Sequence, residues 1–343
     1  MGDLAIGTAG WSYPSPPGAW TGIVYPARQG RTWRGARFDE LSWYAEHFDT
    51  VEVNSSFYRV PTRETTAAWA ARTPPAFEFS VKLFQKLTHP AMFLDRLTRA
   101  PGIRAVDDAP RFEGSHDVAR AAAQVSQQDV DAFKLAIDPL ANAGKLGALL
   151  AQFPASFKAD AAARDYLAWL LDTFRDHRVA VELRHRSWSD DVAGTLALLN
   201  ASKAAWVQID EPKFSSSVQQ NFLPNVTGFY YLRLHGRNAK AWWKHDHPAD
   251  RYNYLYSSEE LDPFVEIAEA VRTLVKKMYL YTNNHFDGKA AANAVMLQSR
   301  LGLPSGGEWP AEFLARYPEL AGTVSVLDAS AAKTTASRTR SLF

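Results

Sequence analysis

The chain contains no cysteine, so no disulfide, thiolate metal site or cysteine nucleophile can form, and a disulfide-stapled secreted domain is excluded. It also lacks an excess of charge of either sign. Its 38 Lys and Arg against 37 Asp and Glu leave a net charge of +1, so no global field draws it to nucleic acid or anionic lipid. No run reaches the roughly 18 apolar residues of a membrane-spanning helix. The first residues, Met1 to Gly7, carry neither the basic start nor the apolar stretch of a signal peptide, and Ile6 stands where a myristoylation site wants Ser or Thr. A cytoplasmic protein with no membrane partner is therefore expected. Nucleotide signatures are missing too. Gly144-Lys145 and Gly288-Lys289 lack the rest of a P-loop, no Gly-x-Gly-x-x-Gly follows a strand pattern, and Gly-x-Ser-x-Gly is absent. No cofactor is expected.

What is present is a large apolar fraction, 46% against 22% charged, enough for a sizeable core. Short apolar, β-branched runs recur at Leu4 to Gly10, Thr50 to Ser55, Phe77 to Leu83, Ala148 to Phe153, Val179 to His185, Ala205 to Asp210, Phe229 to His235 and Met278 to His285. Helical patterns separate most of them: Phe38 to Phe48, Arg63 to Arg72, Gln128 to Ala143, Ala159 to His177, Asp190 to Ala201, Glu259 to Lys277 and Ala290 to Arg300. This alternation predicts an α/β fold, a closed parallel (β/α)8 TIM-like barrel in one domain over residues 1–328, with an open doubly wound sheet as the alternative. Glu211 to Gly228 holds Pro212, Pro224 and serines but no amphipathic pattern, so the sixth helix is expected to be short or missing. Residues 89–125, after the third strand, are too long for an ordinary βα loop and read as an insertion or lid. The tail at 329–343 is poor in large apolar residues and is expected to be mobile.

Alternate residues of a barrel strand face the helices or the lumen, and the helix-facing set must be apolar. That parity turns Glu52 and Asn54 inward from the second strand, Glu78 and Lys82 from the third, Glu182 and Arg184 from the fifth, Trp206, Gln208 and Asp210 from the sixth, and Tyr231, Arg233 and His235 from the seventh. In the fourth and eighth strands the parity is ambiguous. A barrel lumen is normally filled by branched aliphatic residues, so this set is anomalous. Buried charges cost several kcal/mol each and persist only if paired, hydrogen-bonded or completed by a ligand.

The segments Ile6-Gly-Thr-Ala-Gly-Trp-Ser-Tyr13, Val51-Glu-Val-Asn-Ser-Ser-Phe-Tyr58, Phe79-Ser-Val-Lys82, Thr88-His89, Val181-Glu-Leu-Arg-His-Arg-Ser-Trp188, Tyr231-Leu-Arg-Leu-His-Gly-Arg237 and Tyr281-Thr-Asn-Asn284 together resemble domain-of-unknown-function family 72 (DUF72, the YecE-like barrels), from Leu4 to about Leu303. The resemblance implies a TIM-like barrel and no established reaction. By position, its motif residues are Trp11, Glu52, Asn54, Tyr58, Lys82, Glu182, Arg184, Trp188, Arg233, His235, Arg237 and Asn284.

Three functions follow as expectations. The first is an enzyme acting on a small anionic or polyhydroxylated substrate. Lys82, Arg184, Arg233 and Arg237 would bind its anion. Glu182 and His235 would move protons, with Asp210 and Lys82 as further catalytic residues. Trp11, Trp188, Trp242 and Trp243 would offer rings to stack on. Ordinary two-carboxylate glycoside hydrolysis is disfavoured, since Gln152 and His235 end the fourth and seventh strands. The second is a divalent-metal isomerase or hydrolase using Glu52, Glu182, Asp210 and His235, against which the intervening cations argue. The third is a non-catalytic binder using the aromatic and basic segment 237–256, with nucleic acid disfavoured by the charge balance. A small polar ligand and a monomer are the default expectations.

Overall fold

The computed structural model describes residues 1–27, 32–33, 36–98, 124–304 and 306–327. Its main sheet is parallel throughout. We label the strands β1 (Asp3–Ala9), β2 (Thr50–Val53), β3 (Glu78–Lys82), β4 (Leu146–Gln152), β5 (Val179–Glu182), β6 (Ala205–Trp206 with Gln208–Asp210), β7 (Phe229–Leu234) and β8 (Lys277–Thr282). Each pairs with the next, and β8 pairs with β1. The ring closes through β6, whose first part pairs with β5 and whose second part pairs with β7. This is the TIM-like barrel expected from the alternation.

Val51, Val53, Phe79, Val81, Val181, Leu183, Leu232 and Leu234 are all buried on the outer face, where helices Arg63–Ala71, Gln127–Asn142, Ala161–Thr173, Val192–Ala201, Ser258–Val271 and Lys289–Arg300 follow the strands. Side chains with few alternatives start several of them. Thr62, Asp160 and Asp191 accept from a backbone N–H of the first turn, and Ser126 and Ser257 form reciprocal capping boxes with Asp129 and Glu260. No helix follows β6 before β7. Of the expected insertion, Pro90–Thr98 is helical, while residues 99–123 and the tail from 328 lie outside the described residues.

The missing helix changes the parity of β6. Ile209 is in register with Arg233, and Gln208 and Asp210 are in register with the outward Leu232 and Leu234. Gln208 and Asp210 therefore face away from the lumen, opposite to the sequence expectation, and so does Trp206, which is in register with Val181. The rule that the apolar set faces out presupposes an apolar helix, and here the loop 211–228 covers that face. Gln208 serves it by accepting from the Phe222 backbone N–H at 3.1 Å.

The same loop separates the ends of β5 and β6. His185 bridges Ser217 antiparallel, and the Gln220 amide donates to the Val207 carbonyl and accepts from the Ile209 N–H, standing in for a strand. In β4 the ambiguity has a cause: its register against β3 shifts between Leu146 and Leu149. One extra residue reverses the parity there, so that Leu150 and Gln152 share the inward face with Ala180 and Glu182. Gly147 lies within the shift, where a Cβ would meet the Tyr279 hydroxyl at 2.9 Å.

Replacing Gln220 by Ala leaves two backbone groups without this partner and is expected to cost about 1–3 kcal/mol. Denaturant unfolding measures it, and an unchanged stability would mean that the amide does not hold β6.

Candidate functional site

The inward residues of β1 that share a face with Tyr279 and Tyr281 are small, Ala5 and Gly7, so these tyrosines of the neighbouring β8 can reach across β1 in the lower lumen. Tyr281 bonds Thr50 and Ser80, at 2.6 and 2.9 Å. Above this layer the lumen is ionic.

Arg233, 1% exposed, lies between two carboxylates. Its Nη2 donates to Glu52 Oε1 at 2.6 Å, and its Nη1 donates to Glu182 Oε2 at 2.5 Å and to Gln152 Oε1 at 3.0 Å. The Tyr231 hydroxyl donates to the other Glu52 oxygen at 2.8 Å. Glu182 accepts from Arg184 Nε at 2.7 Å, and Arg184 Nη1 lies 3.3 Å from Glu211 Oε2. Glu52, Arg233, Glu182, Arg184 and Glu211 thus form one chain of alternating charge from β2, β7, β5 and the end of β6.

Glu211 was missed in the sequence, yet it continues the inward alternation of Val207 and Ile209. It is buried, its Oε2 has no hydrogen-bond partner among the described residues, and burial raises its pKa against the pull of Arg184. Glu182 behaves differently. Burial pushes it up, but Arg233 and then Arg184 override that and hold it well below the usual carboxylate range.

His235 has no exposed surface. The Asn283 amide lies 2.9 Å from its Nδ1, and its Nε2 is 3.5 Å from Glu182 Oε2 and 3.4 Å from both Arg184 Nη2 and Arg233 Nη1. Trp242 covers it edge-on with centroids 6.5 Å apart. Burial lowers its pKa to about 3, so this imidazole is neutral at physiological pH and screened from solvent.

Lys82 ends β3 facing the same lumen. Its Nζ stands 4.2 Å from the centroid of Phe57, and it has no carboxylate within ion-pair distance among the described residues. Burial, then Arg233, lowers its pKa to about 7, against the opposite pull of Glu182 and Glu52. His89, the second residue that sequence reasoning passed over despite its Thr88-His89 motif, packs edge-on against Phe57, with ring centroids 4.9 Å apart. Burial, then the charges of Lys82 and Arg184, lowers its pKa to about 3.

Other expected residues lie elsewhere. Asp210 accepts from Arg237 Nε at 2.8 Å and from the Tyr256 hydroxyl at 2.7 Å, so Asp210 and Arg237 form a separate cluster with Glu260 outside the lumen. Asp210 left the lumen with the β6 parity, and Arg237 followed it. Trp188 is fully buried, stacked on Phe157 and donating to its carbonyl, so it packs the barrel against the helices. Trp11 packs edge-on against Trp69. Asn284 donates to the Tyr254 carbonyl and to Asn293, holding a loop. Asn54, with a buried Oδ1 lacking a partner among the described residues, and Tyr58, 61% exposed, stand near the rim.

The four carboxylate and imidazole groups of the metal reading do not converge. Among the described residues no group of three or more His, Asp or Glu side chains is placed to hold a metal ion, and Glu52 and Glu182 are taken by guanidinium groups. In the segment 237–256, Trp242 and Tyr256 are buried and Tyr252 packs on His285, so these rings cap the barrel. Among the described residues no helix is long and apolar enough to cross a membrane.

His47, His89 and His235 are all buried, with pKa values lowered to about 4, 3 and 3 by desolvation. Below pH 6.5 the unfolded chain binds a proton at each that the native state refuses, so stability falls as pH falls. Between pH 7 and pH 5 the loss is expected to be about 2 kcal/mol per histidine. Glu182, depressed in the folded state, adds to the loss below its unfolded value. Urea unfolding at several pH values reads this directly, and a flat profile from pH 7 to 5 would contradict neutral burial.

The comparisons with known proteins agree with this architecture. The family described as "Protein of unknown function DUF72" matches residues 5–313. The UPF0759 protein YunF of Bacillus subtilis is 26% identical over 316 residues, covering 90% of this chain and 98% of that protein. The crystal structure of a DUF72 family protein from Thermotoga maritima has a TM-score of 0.68 at 28% identity, covering 88% of this chain and 99% of that one. One from Enterococcus faecalis has the same TM-score at 24% identity, covering 88% and 96%, and supports the fold. With the family match spanning nearly the whole sequence, the chain belongs to the DUF72 family.

Proposed function

We propose that this barrel is an enzyme that takes a small anionic or polyhydroxylated substrate at the carboxyl-terminal mouth of its lumen. The observation that carries the reading is the contrast between Lys82 and its neighbours. Arg233 and Arg184 are each committed to two carboxylates, whereas Lys82 keeps an ammonium without a counter-charge among the described residues, half-buried at the strand end where barrels of this type carry their active sites. An unpaired, partly desolvated cation is a point of attachment for a carboxylate or phosphate.

The proton-transfer roles shift accordingly. Glu182 is held ionised and His235 neutral and covered, so both serve best as positioning residues that fix Arg184 and Arg233. Lys82, lowered to about 7, is a group whose proton can move close to working pH, and burial shifts Glu211 upward beside it. Gln152 binds Arg233, and Asn54 leaves an unpaired oxygen near the rim for a substrate hydroxyl.

A ligand at about a hundred times its dissociation constant adds about 2.7 kcal/mol of stability. A thermal-shift screen of sugar phosphates, hydroxy acids and keto acids is expected to find such a ligand, and Lys82→Met is expected to abolish the shift without unfolding the protein. A shift that survives Lys82→Met would place the ligand elsewhere.

A further inference from the structure

Lys82 differs from the other buried lysines in what its amine touches. Lys145 Nζ donates to the carbonyls of Ala70 and Thr73, and Lys86 Nζ donates to Asp129 at 2.7 Å. Both are fully engaged in holding structure. Lys82 has an aromatic face on one side and, among the described residues, no hydrogen bond from its amine. It projects from the end of a rigid strand into the mouth, and it is half-buried rather than sealed. A lysine kept only to hold an anion would gain from a polar cradle. An amine that must lose its proton and attack gains from apolar contact and from the absence of a carboxylate partner.

We propose that Lys82 is a catalytic residue that condenses with an aldehyde or ketone group of the substrate to form an iminium. This rests on the reading of the mouth as a substrate site and names the reacting group of that substrate: a small carbonyl compound bearing a carboxylate, phosphate or hydroxyls. The nitrogen forms a bond to the carbonyl carbon, and the carbonyl oxygen departs as water with two protons taken from the ammonium. One N–H remains on the iminium, and no oxidant or reductant enters. The resulting cation draws electrons from the neighbouring carbon, which is the chemistry of carbon–carbon cleavage and of proton abstraction beside a carbonyl.

The surroundings fit this step. Burial and the Arg233 guanidinium lower the pKa of Lys82 to about 7, opposed by Glu182 and Glu52 and reinforced by Arg184. At neutral pH it therefore presents roughly a thousand-fold more free amine than an ordinary lysine. Phe57 excludes water from one side of the nitrogen. His89, neutral and packed on that same ring, can accept a hydrogen bond without adding a competing charge.

The test is reductive trapping on the full chain. The protein is incubated at pH 7 with glyoxylate, pyruvate or dihydroxyacetone phosphate and sodium cyanoborohydride, and the lysines are mapped by peptide mass spectrometry. The expected result is a reduced adduct on Lys82 exceeding that on every other lysine by at least about ten-fold, given its excess of free amine. Lys82→Arg, which keeps the cation and removes the nucleophile, is expected to lose the adduct while still giving the thermal shift of an anionic ligand. A shift in the wild type with no enrichment at Lys82 would overturn the iminium and leave the binding site standing. Absence of both shift and adduct would overturn the two together. An adduct undiminished in Lys82→Arg would assign the reaction to another amine.

Discussion

A single guanidinium in the middle of the barrel axis sets the arrangement of everything around it. Arg233 is almost wholly removed from water, and a lone buried charge of that kind is not tolerated. It is tolerated here because Glu52 and Glu182 flank it from opposite walls, Gln152 takes a further N–H, and Tyr231 occupies the remaining oxygen of Glu52. Those partners come from β2, β4, β5 and β7, so satisfying one side chain ties four strands together. Removing any one partner leaves a buried charge exposed to the low dielectric of the lumen, which makes the network costly to disturb.

The consequence for chemistry is a division of labour. Charges deep in the lumen are spent on one another, and the chain Glu52, Arg233, Glu182, Arg184, Glu211 grows less perfectly paired toward the mouth. At its inner end the carboxylates are doubly engaged. At its outer end Glu211 has, among the described residues, a single 3.3 Å ion pair and an oxygen without a hydrogen bond. Lys82 lies beside this chain but outside its pairing. The paired groups supply a fixed electrostatic frame, and the poorly paired ones at the rim are left to respond to a guest.

How far this could be read from the amino-acid sequence depended on what lay outside each strand. For β2, β3, β5 and β7 the outer face meets helices, so Val51, Val53, Phe79, Val81, Val181 and Leu232 had to be apolar, and the inward placement of Glu52, Lys82, Glu182 and Arg233 followed by alternation. In β6 the same rule misplaced Gln208 and Asp210, because the loop after it, not a helix, covers that face and rewards an amide that can bond its backbone. Glu211 was overlooked for the same reason. The shifted register of β4 could not be read from its apolar run, since Leu149 and Leu150 are equally suited to either side. Trp188 and Arg237 carried strong motif signals that reflect packing and loop anchoring instead of contact with the lumen. The burial of His235 beneath Trp242 depended on how the segment just after β7 folds back over the strand end.

The titration of the Lys82 amine is the most direct measurement of whether one cation was left out of the paired lumen. With lysine side chains labelled at the ε-position, its NMR signal can be followed across pH and assigned by comparison with Lys82→Arg. A midpoint near 7 is expected for an amine lowered by burial and then by Arg233 against the opposite pull of Glu182 and Glu52. A midpoint near 10, the range of a lysine in water or in an ordinary ion pair, would contradict it.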